Sequence, residues 1–230
     1  MFVRFRKPNV VYETEQRKLR WAYEAEQIIT LIKKMNKRND IHGIIVQLPL
    51  PKHLDANKII TAIDPQKDVD GFHPKTRYVS PVALSVIKLL EATKRSFKNQ
   101  KAVFFVRSDI FAKPITDALE RKGLGARIVL KPTAEKLKKY AKEGDAIIIA
   151  LGKPYFLKPK MIKDGALVID IGITLKGKIF AGDFDSRKAK NKKGFYTPVP
   201  GGVGPMTVAM LLWNVVKTYE TTKFLRKPRN

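Results

Sequence analysis

The spacing of apolar and polar residues divides the chain into an early amphipathic stretch and a later alternation of strands and helices. Phe2–Phe5 alternates like a strand, and Lys7-Pro8-Asn9 breaks it. From about Val10 to Arg38 the pattern predicts helix. Leu19, Ala22, Tyr23, Ile28, Ile29, Leu31, Ile32 and Met35 form its apolar stripe. That length predicts a bend or break. Ile41–Leu48 reads as a buried parallel strand, because a continuous apolar run fits burial on both faces. Helices are expected over Leu54–Ala62 and Pro81–Lys94, the second linking two halves.

Beyond Asn99 the alternation is regular. Strands are expected at Ala102–Val106, Ala126–Leu130, Ala146–Leu151 and Ala166–Gly172. Helices are expected at Ile115–Lys122 and Ala134–Glu143, with a loop over Arg107–Pro114 and a short connection at Lys160–Asp164. Strands separated by helices imply right-handed βαβ units and a parallel sheet, Rossmann-like but without the usual glycine fingerprint. The last segment, Thr197–Thr207, combines stiff prolines with permissive glycines. Pro205 fits the first turn of a helix carrying Val208, Leu211, Leu212, Val215 and Val216 on one apolar side. A loop poor in side chains at a helix start suits an anion or a flat polar ligand.

Composition narrows the chemistry. There are no cysteines, which excludes disulfides, thiolate nucleophiles and cysteine zinc sites. His42, His53 and His73 lie far apart in sequence and suggest no metal site. No apolar run approaches the roughly 20 residues of a membrane span, and no apolar stretch follows the first charges as a signal peptide requires. These features predict a cytoplasmic protein without a membrane partner. The 46 Lys and Arg against 21 Asp and Glu give a net charge of +25. That favours polyanionic company: a phosphorylated cofactor, a poly-acidic substrate or nucleic acid. Much of it also fits a solvated surface.

Individual polar residues stand out against this frame. Gln47 ends the apolar run before Pro49, where a strand-end polar group either caps the strand or meets a ligand. Asp68 and Asp70 flank Val69 after Lys67. A lone Asp-x-Asp is weak evidence for a metal, and Lys67 would neutralise part of the charge a metal needs. One Asp making a turn while the other faces a ligand is more economical.

Together Ile41–Pro51, Asp64–Phe72, Val168–Thr174 and Thr197–Asn214 resemble the bifunctional methylenetetrahydrofolate dehydrogenase/methenyltetrahydrofolate cyclohydrolase family. The blocks occur in the family order at near-family spacing, over about residues 40 to 220. The resemblance implies an α/β protein of two lobes around a cleft. Residues 1–79, completed by the C-terminal helix 206–230, would form a folate-binding lobe, and residues 80–205 a Rossmann-like NAD(P)-binding lobe. The implied chemistry is oxidation of methylenetetrahydrofolate with NADP (NAD as the alternative), with or without hydrolysis to formyltetrahydrofolate. A homodimer is implied, and a polyglutamylated folate would suit the basic surface.

The resemblance also assigns residues. Gln47 matches the strand-end glutamine that holds the family's catalytic lysine, and Asp70 the acid that grips the pterin edge. Pro49 and the loop Pro200, Gly201, Gly202 would join them at the folate, with Gly204 on the cofactor side. Arg107, Ser108, Lys113, Pro114, Gly152, Gly172, Ile173 and Thr174 would bind the dinucleotide. The family's Tyr-x-x-x-Lys motif is not intact. One alignment keeps Tyr12 and puts Gln16 at the lysine position, leaving Lys18 as a stand-in. The other puts Phe2 and Arg6 on the motif. Neither glutamine nor arginine accepts a proton at neutral pH. The family has about forty more residues before Phe2, so the chain is expected to start late. Val106 and Ala112 replace cofactor-loop glycines, which predicts weaker cofactor binding. A non-catalytic folate- or nucleotide-binding relative, and a basic protein binding nucleic acid on this scaffold, are the alternatives.

Overall fold

The computed structural model describes residues 2–6, 11–15, 24–48, 50–98 and 100–225, with backbone alone for 2–6, 11–15 and 223–225. The chain forms two compact units, Met1–Pro81 with Leu211–Asn230, and Val82–Met210.

In the first unit β1 (Phe2–Arg6) pairs antiparallel with β2 (Val11–Glu15) and with β3 (Gly43–Ile44). Helix α1 (Ala25–Asn36) opens with a capping box between Glu24 and Gln27 and buries Ile28, Ile32 and Met35. Those residues pack with Ile41, Ile44, Ile59 and Ile63, the last two on or just after α2 (Ala56–Thr61). Two expectations are corrected. The helix expected from Val10 starts at Ala25, and Val11–Glu15 is a strand; residues 16–23 lie outside the described residues. The strand expected over Ile41–Leu48 is two residues long and antiparallel to β1, with a single parallel bridge from Ile44 to Asp68. Its apolar run reports burial rather than pairing: a Cβ on Gly43 would meet Val69 Cγ2 at 2.9 Å.

The second unit begins with α3 (Pro81–Ala92) and is built on a five-stranded parallel sheet. Its strands are β4 (Ala102–Val106), β5 (Ala126–Leu130), β6 (Ala146–Ala150), β7 (Leu167–Asp170) and β10 (Phe195–Tyr196), in the order β10-β7-β6-β4-β5. β4 and β7 are buried throughout, as continuous apolar runs require. Helices α4 (Asp109–Glu120) and α5 (Ala134–Ala141) cross between strands. The expected α/β class and parallel sheet are therefore present. Expectation and structure differ at Arg107–Pro114, where the loop is instead the start of α4 with Pro114 inside it. Ala112 is fully buried and Val106 nearly so. The hairpin of β8 (Thr174–Lys176) and β9 (Ile179–Ala181), and the short β10, carry no strong periodicity and were not anticipated.

Helix α6 (Val203–Leu225) runs from the second unit into the first. It buries Val215 but leaves Val208 59% exposed, against the single apolar side expected. Its apolar residues surround the helix, so their positions do not define one buried face.

Candidate active and cofactor sites

In the first unit the Asp64–Ser80 segment is held by groups that leave Asp70 over. Lys67 Nζ donates to the carbonyls of Met35 (3.3 Å), Asn36 (2.6 Å) and Arg38 (2.7 Å) at the end of α1, where a cation complements the helix dipole. It caps the end of α1. Asp68 is buried and accepts from the backbone N–H groups of Gly71 (3.1 Å) and His73 (2.9 Å). Asn214 of α6 donates to the carbonyls of Val69 and Val79, each at 2.9 Å, and pins both ends of the turn. Asp68 therefore makes the turn, as the economical reading expected.

Asp70 is half-buried, and no described residue hydrogen-bonds its carboxylate. Burial, then repulsion from Asp68, pushes its pKa up to about 7. A desolvated acceptor with no internal partner is suited to a ligand carrying donors. Gln47 is exposed and, among the described residues, donates to the adjacent Leu48 carbonyl (3.1 Å). Ile44 and Asp68 bridge in parallel, so Gln47 and Asp70, three and two residues further on, leave the same edge. Tyr12 lies in β2, opposite Phe5 of β1. Lys18 and Pro49 lie outside the described residues.

The turn depends on Gly71. Its φ is 74°, and an added Cβ would lie 2.6 Å from Ser80 N. Gly71→Ala is expected to destabilise the protein by ~2–4 kcal/mol, because the obstructing atoms are backbone. Urea unfolding measures this; a change within error would show that the turn relaxes freely.

In the second unit the polar residues gather at the carboxyl ends of the strands. The sheet reverses direction of growth between β4 and β6, and ligands of open α/β sheets bind outside such a switch point. Arg107 and Ser108 follow β4, and Gly152 follows β6. Gly152 has φ 62°, and a Cβ there would have Arg107 Nη1 at 3.6 Å and Thr174 Oγ1 at 3.9 Å. Arg107, Gly152 and Thr174 therefore meet. Ser108 precedes α4 without a side-chain cap bond, so its hydroxyl does not satisfy the helix's first N–H groups. Lys113 and Pro114 are carried into α4, where Lys113 pairs with Asp117 at 3.4 Å. Ile173 is exposed beside Thr174.

Two buried carboxylates, missed in the sequence, hold this edge in shape. Asp183 accepts from the N–H groups of Leu151 (2.5 Å), Gly152 (3.0 Å) and Lys153 (2.6 Å). Asp170 accepts from Gly172 N (2.9 Å) and Phe184 N (2.8 Å), while its own N–H donates to Thr197 Oγ1 (2.8 Å). Gly172 lies against the Asp183 carboxylate and Gly182 against that of Asp170, with no room for a Cβ at either. The available signal was an acid directly after a glycine in Ala181-Gly182-Asp183, flanked by apolar residues.

Burial first, with Asp183 adding repulsion, raises the Asp170 pKa to about 7. The folded state thus holds a proton that the unfolded chain releases near pH 4. Its contribution to stability is present below about pH 4 and is lost as pH rises to about 7. Denaturant midpoints of wild type relative to Asp170→Asn should therefore fall between pH 5 and pH 8. A constant difference would contradict the assignment.

The Pro200–Gly202 loop leads directly into α6. Thr197 is hydrogen-bonded through its N–H to Val168 O (3.0 Å), and the Val199–Pro200 peptide is cis. Gly201 has φ 104°, and a Cβ on Gly202 would lie 2.5 Å from Pro198 O. Gly204 sits in the first turn of α6 with open space around it.

Comparison with known proteins places both units. Residues 8–70 match the catalytic domain of tetrahydrofolate dehydrogenase/cyclohydrolase, and residues 80–223 match its NAD(P)-binding domain. The bifunctional protein FolD of Flavobacterium psychrophilum is 39% identical over 216 residues, covering 86% of this chain and 74% of that protein. FolD of Campylobacter hominis is 40% identical over 216 residues, with 88% and 76% covered. Among solved structures, FolD methylenetetrahydrofolate dehydrogenase/cyclohydrolase of Campylobacter jejuni superposes with a TM-score of 0.79 at 35% identity, covering 87% of this chain and 75% of that one. The Trypanosoma brucei FolD, solved with NADP cofactor and an inhibitor, gives 0.80 at 28% identity, with 90% and 75% covered. With both domain models matched in order along one chain, this protein belongs to the tetrahydrofolate dehydrogenase/cyclohydrolase family.

Proposed function

We propose that this protein oxidises methylenetetrahydrofolate to methenyltetrahydrofolate with NADP in one-carbon folate metabolism. The consecutive match to the family's catalytic and NAD(P)-binding domains carries this reading. The folate lobe is residues 1–79 with residues 206–230, which include most of α6, and the dinucleotide lobe is residues 80–205. Asp70 binds the donor edge of the pterin, with Gln47 leaving the same edge of the fold. A pterin presents adjacent ring and exocyclic N–H groups, which match the two oxygens of one carboxylate.

The carboxyl edge of the parallel sheet fits a dinucleotide. Gly152 leaves room for backbone approach, Arg107 supplies a cation, and the uncommitted Ser108 hydroxyl opens α4. Bound NADP supplies the hydride acceptor. The protein's part is to hold the donor carbon still and keep water out while the hydride leaves, which is mainly positioning. Formation of methenyltetrahydrofolate, dependent on both methylenetetrahydrofolate and NADP, tests the oxidation. Loss of added methenyltetrahydrofolate above the buffer rate tests hydrolysis separately.

We infer a cytoplasmic homodimer. Among the described residues no helix is long and apolar enough to cross a membrane. The β8–β9 hairpin exposes Leu175, Ile179 and Phe180, each by more than half, which supports contact with a second copy. Phe180→Asp is expected to shift the light-scattering mass from dimer to monomer. An unchanged dimer would place the interface elsewhere.

A further inference from the structure

The charge of the second unit is unevenly placed between the two edges of its sheet. Five parallel strands put every strand start on one edge and every strand end on the other. The segments that enter the strands are 94–101, 121–125, 142–145, 163–165 and 190–194. They hold eleven Lys or Arg and three Asp or Glu. The segments that leave the strands, 107–108, 131–133, 151–154, 171–173 and 197–202, hold three Lys or Arg. The proposed dinucleotide site lies at the carboxyl edge, a strand length of ~16 Å away. A bound cofactor therefore does not account for the cations of the amino edge.

Backbone bonds tie the strand starts into one surface. Ala102 N donates to Gly125 O (3.3 Å), Asp145 N to Lys101 O (2.8 Å), Leu167 N to Asp145 O (2.9 Å) and Gly165 N to Lys193 O (2.9 Å). At ~4.8 Å between strands this edge is ~19 Å across, about two Debye lengths at 0.1 M salt. Its cations therefore act together on a polyanion. The three acids are already engaged: Asp145 with Lys163 (2.6 Å), Asp164 with Lys192 (2.7 Å) and Glu143 with Arg127 (3.6 Å). Lys98, Lys101, Arg121, Lys142, Lys190 and Lys193 are exposed and stand outside those pairs. Phe195 adds an aromatic ring. It opens β10 directly after Lys193 and Gly194 and is 53% exposed. A Cβ on Gly194 would run into Ala166 O, so this turn is held against the start of β7. Single-strand binders combine such a ring, on which a base stacks, with cations that track the phosphates. An acidic polypeptide would be matched by the cations alone.

We propose that the amino edge of the parallel sheet binds single-stranded nucleic acid, with phosphates on Lys98, Lys101, Lys190 and Lys193 and a base stacked on Phe195. Fluorescence anisotropy of a labelled oligouridylate of ~16 nucleotides tests this on the full chain. Wild type should bind with an affinity that falls steeply as salt rises. The triple variant Lys98→Gln, Lys101→Gln, Lys193→Gln should bind ~100-fold more weakly at 0.1 M salt. Its salt slope should shrink by ~2, the counterions released at three phosphates. Lys33, Lys34 and Lys37 are exposed on and just after α1 of the first unit. Changing these three to Gln removes the same charge and should leave the affinity nearly unchanged. Phe195→Ser should weaken binding ~10-fold without altering the salt slope. Equal weakening by the two triple variants, or no binding by folded wild type, would overturn the proposal. So would a polyglutamate of equal charge that binds as tightly as the oligonucleotide, with Phe195→Ser silent.

Discussion

Asp183→Ala should cost ~3–5 kcal/mol of stability and abolish cofactor binding. The side chain is fully buried and accepts three backbone N–H groups from residues 151–153. Removing it strands those donors in a site where each unsatisfied group costs about 1–3 kcal/mol. Relaxation of the loop recovers part of that. Loop movement also displaces Gly152, where Arg107 and Thr174 converge. The loss is a large share of the roughly 5–15 kcal/mol that holds a typical domain folded.

Gly172→Ala should produce a similar loss from the other side, since its methyl would enter the Asp183 carboxylate. The two changes should not add. Once the carboxylate is gone, the methyl has room, so Gly172→Ala should cost little in the Asp183→Ala background. Urea titration of the four proteins measures the coupling. Additive losses would show that the glycine and the aspartate act independently.

Asp70→Asn should lower methylenetetrahydrofolate turnover by ~100-fold or more while leaving the protein as stable as wild type or more so. The carboxylate has no described internal partner, and its ionised form is disfavoured by burial and by Asp68. Above pH 7 the amide removes that repulsion, worth about 1 kcal/mol after allowance for its partial exposure. The substrate, however, loses an acceptor matched to paired donors. Asp68→Ala, two residues earlier, should behave oppositely in stability, because Gly71 N and His73 N lose their acceptor. Folate affinity should rise with pH through about 7, as the carboxylate that accepts the pterin donors becomes ionised, and this dependence should vanish in Asp70→Asn. Paired turnover and thermal-melt measurements separate the roles. An active Asp70→Asn would remove the carboxylate from the substrate site.

The parallel sheet was legible because strands buried on both faces must be apolar throughout, and the runs at 102–106, 146–150 and 167–170 are. Asp68 in the turn was also foreseen, as the one aspartate of the pair that shapes the backbone, but the place of Lys67 was not, because its ammonium caps α1. Elsewhere local pattern misled. Arg107–Pro114 looked like a loop, yet α4 starts at Asp109 and carries Pro114 as the sixth of its twelve residues. Ile41–Leu48 looked like a long strand because apolar runs report burial without specifying a partner. Asp170 and Asp183 were invisible as a pair, since their proximity depends on the hairpin that returns the chain to the strand ends.

The central claim is hydride transfer from a folate carbon to NADP on this chain. Its most direct test uses methylenetetrahydrofolate deuterated at the bridging carbon, the purified protein and NADP, with mass spectrometry of the reduced cofactor. NADPH should carry deuterium from the substrate and form in step with methenyltetrahydrofolate. Absence of NADPH, or NADPH without the label, from folded protein that binds both ligands would contradict it.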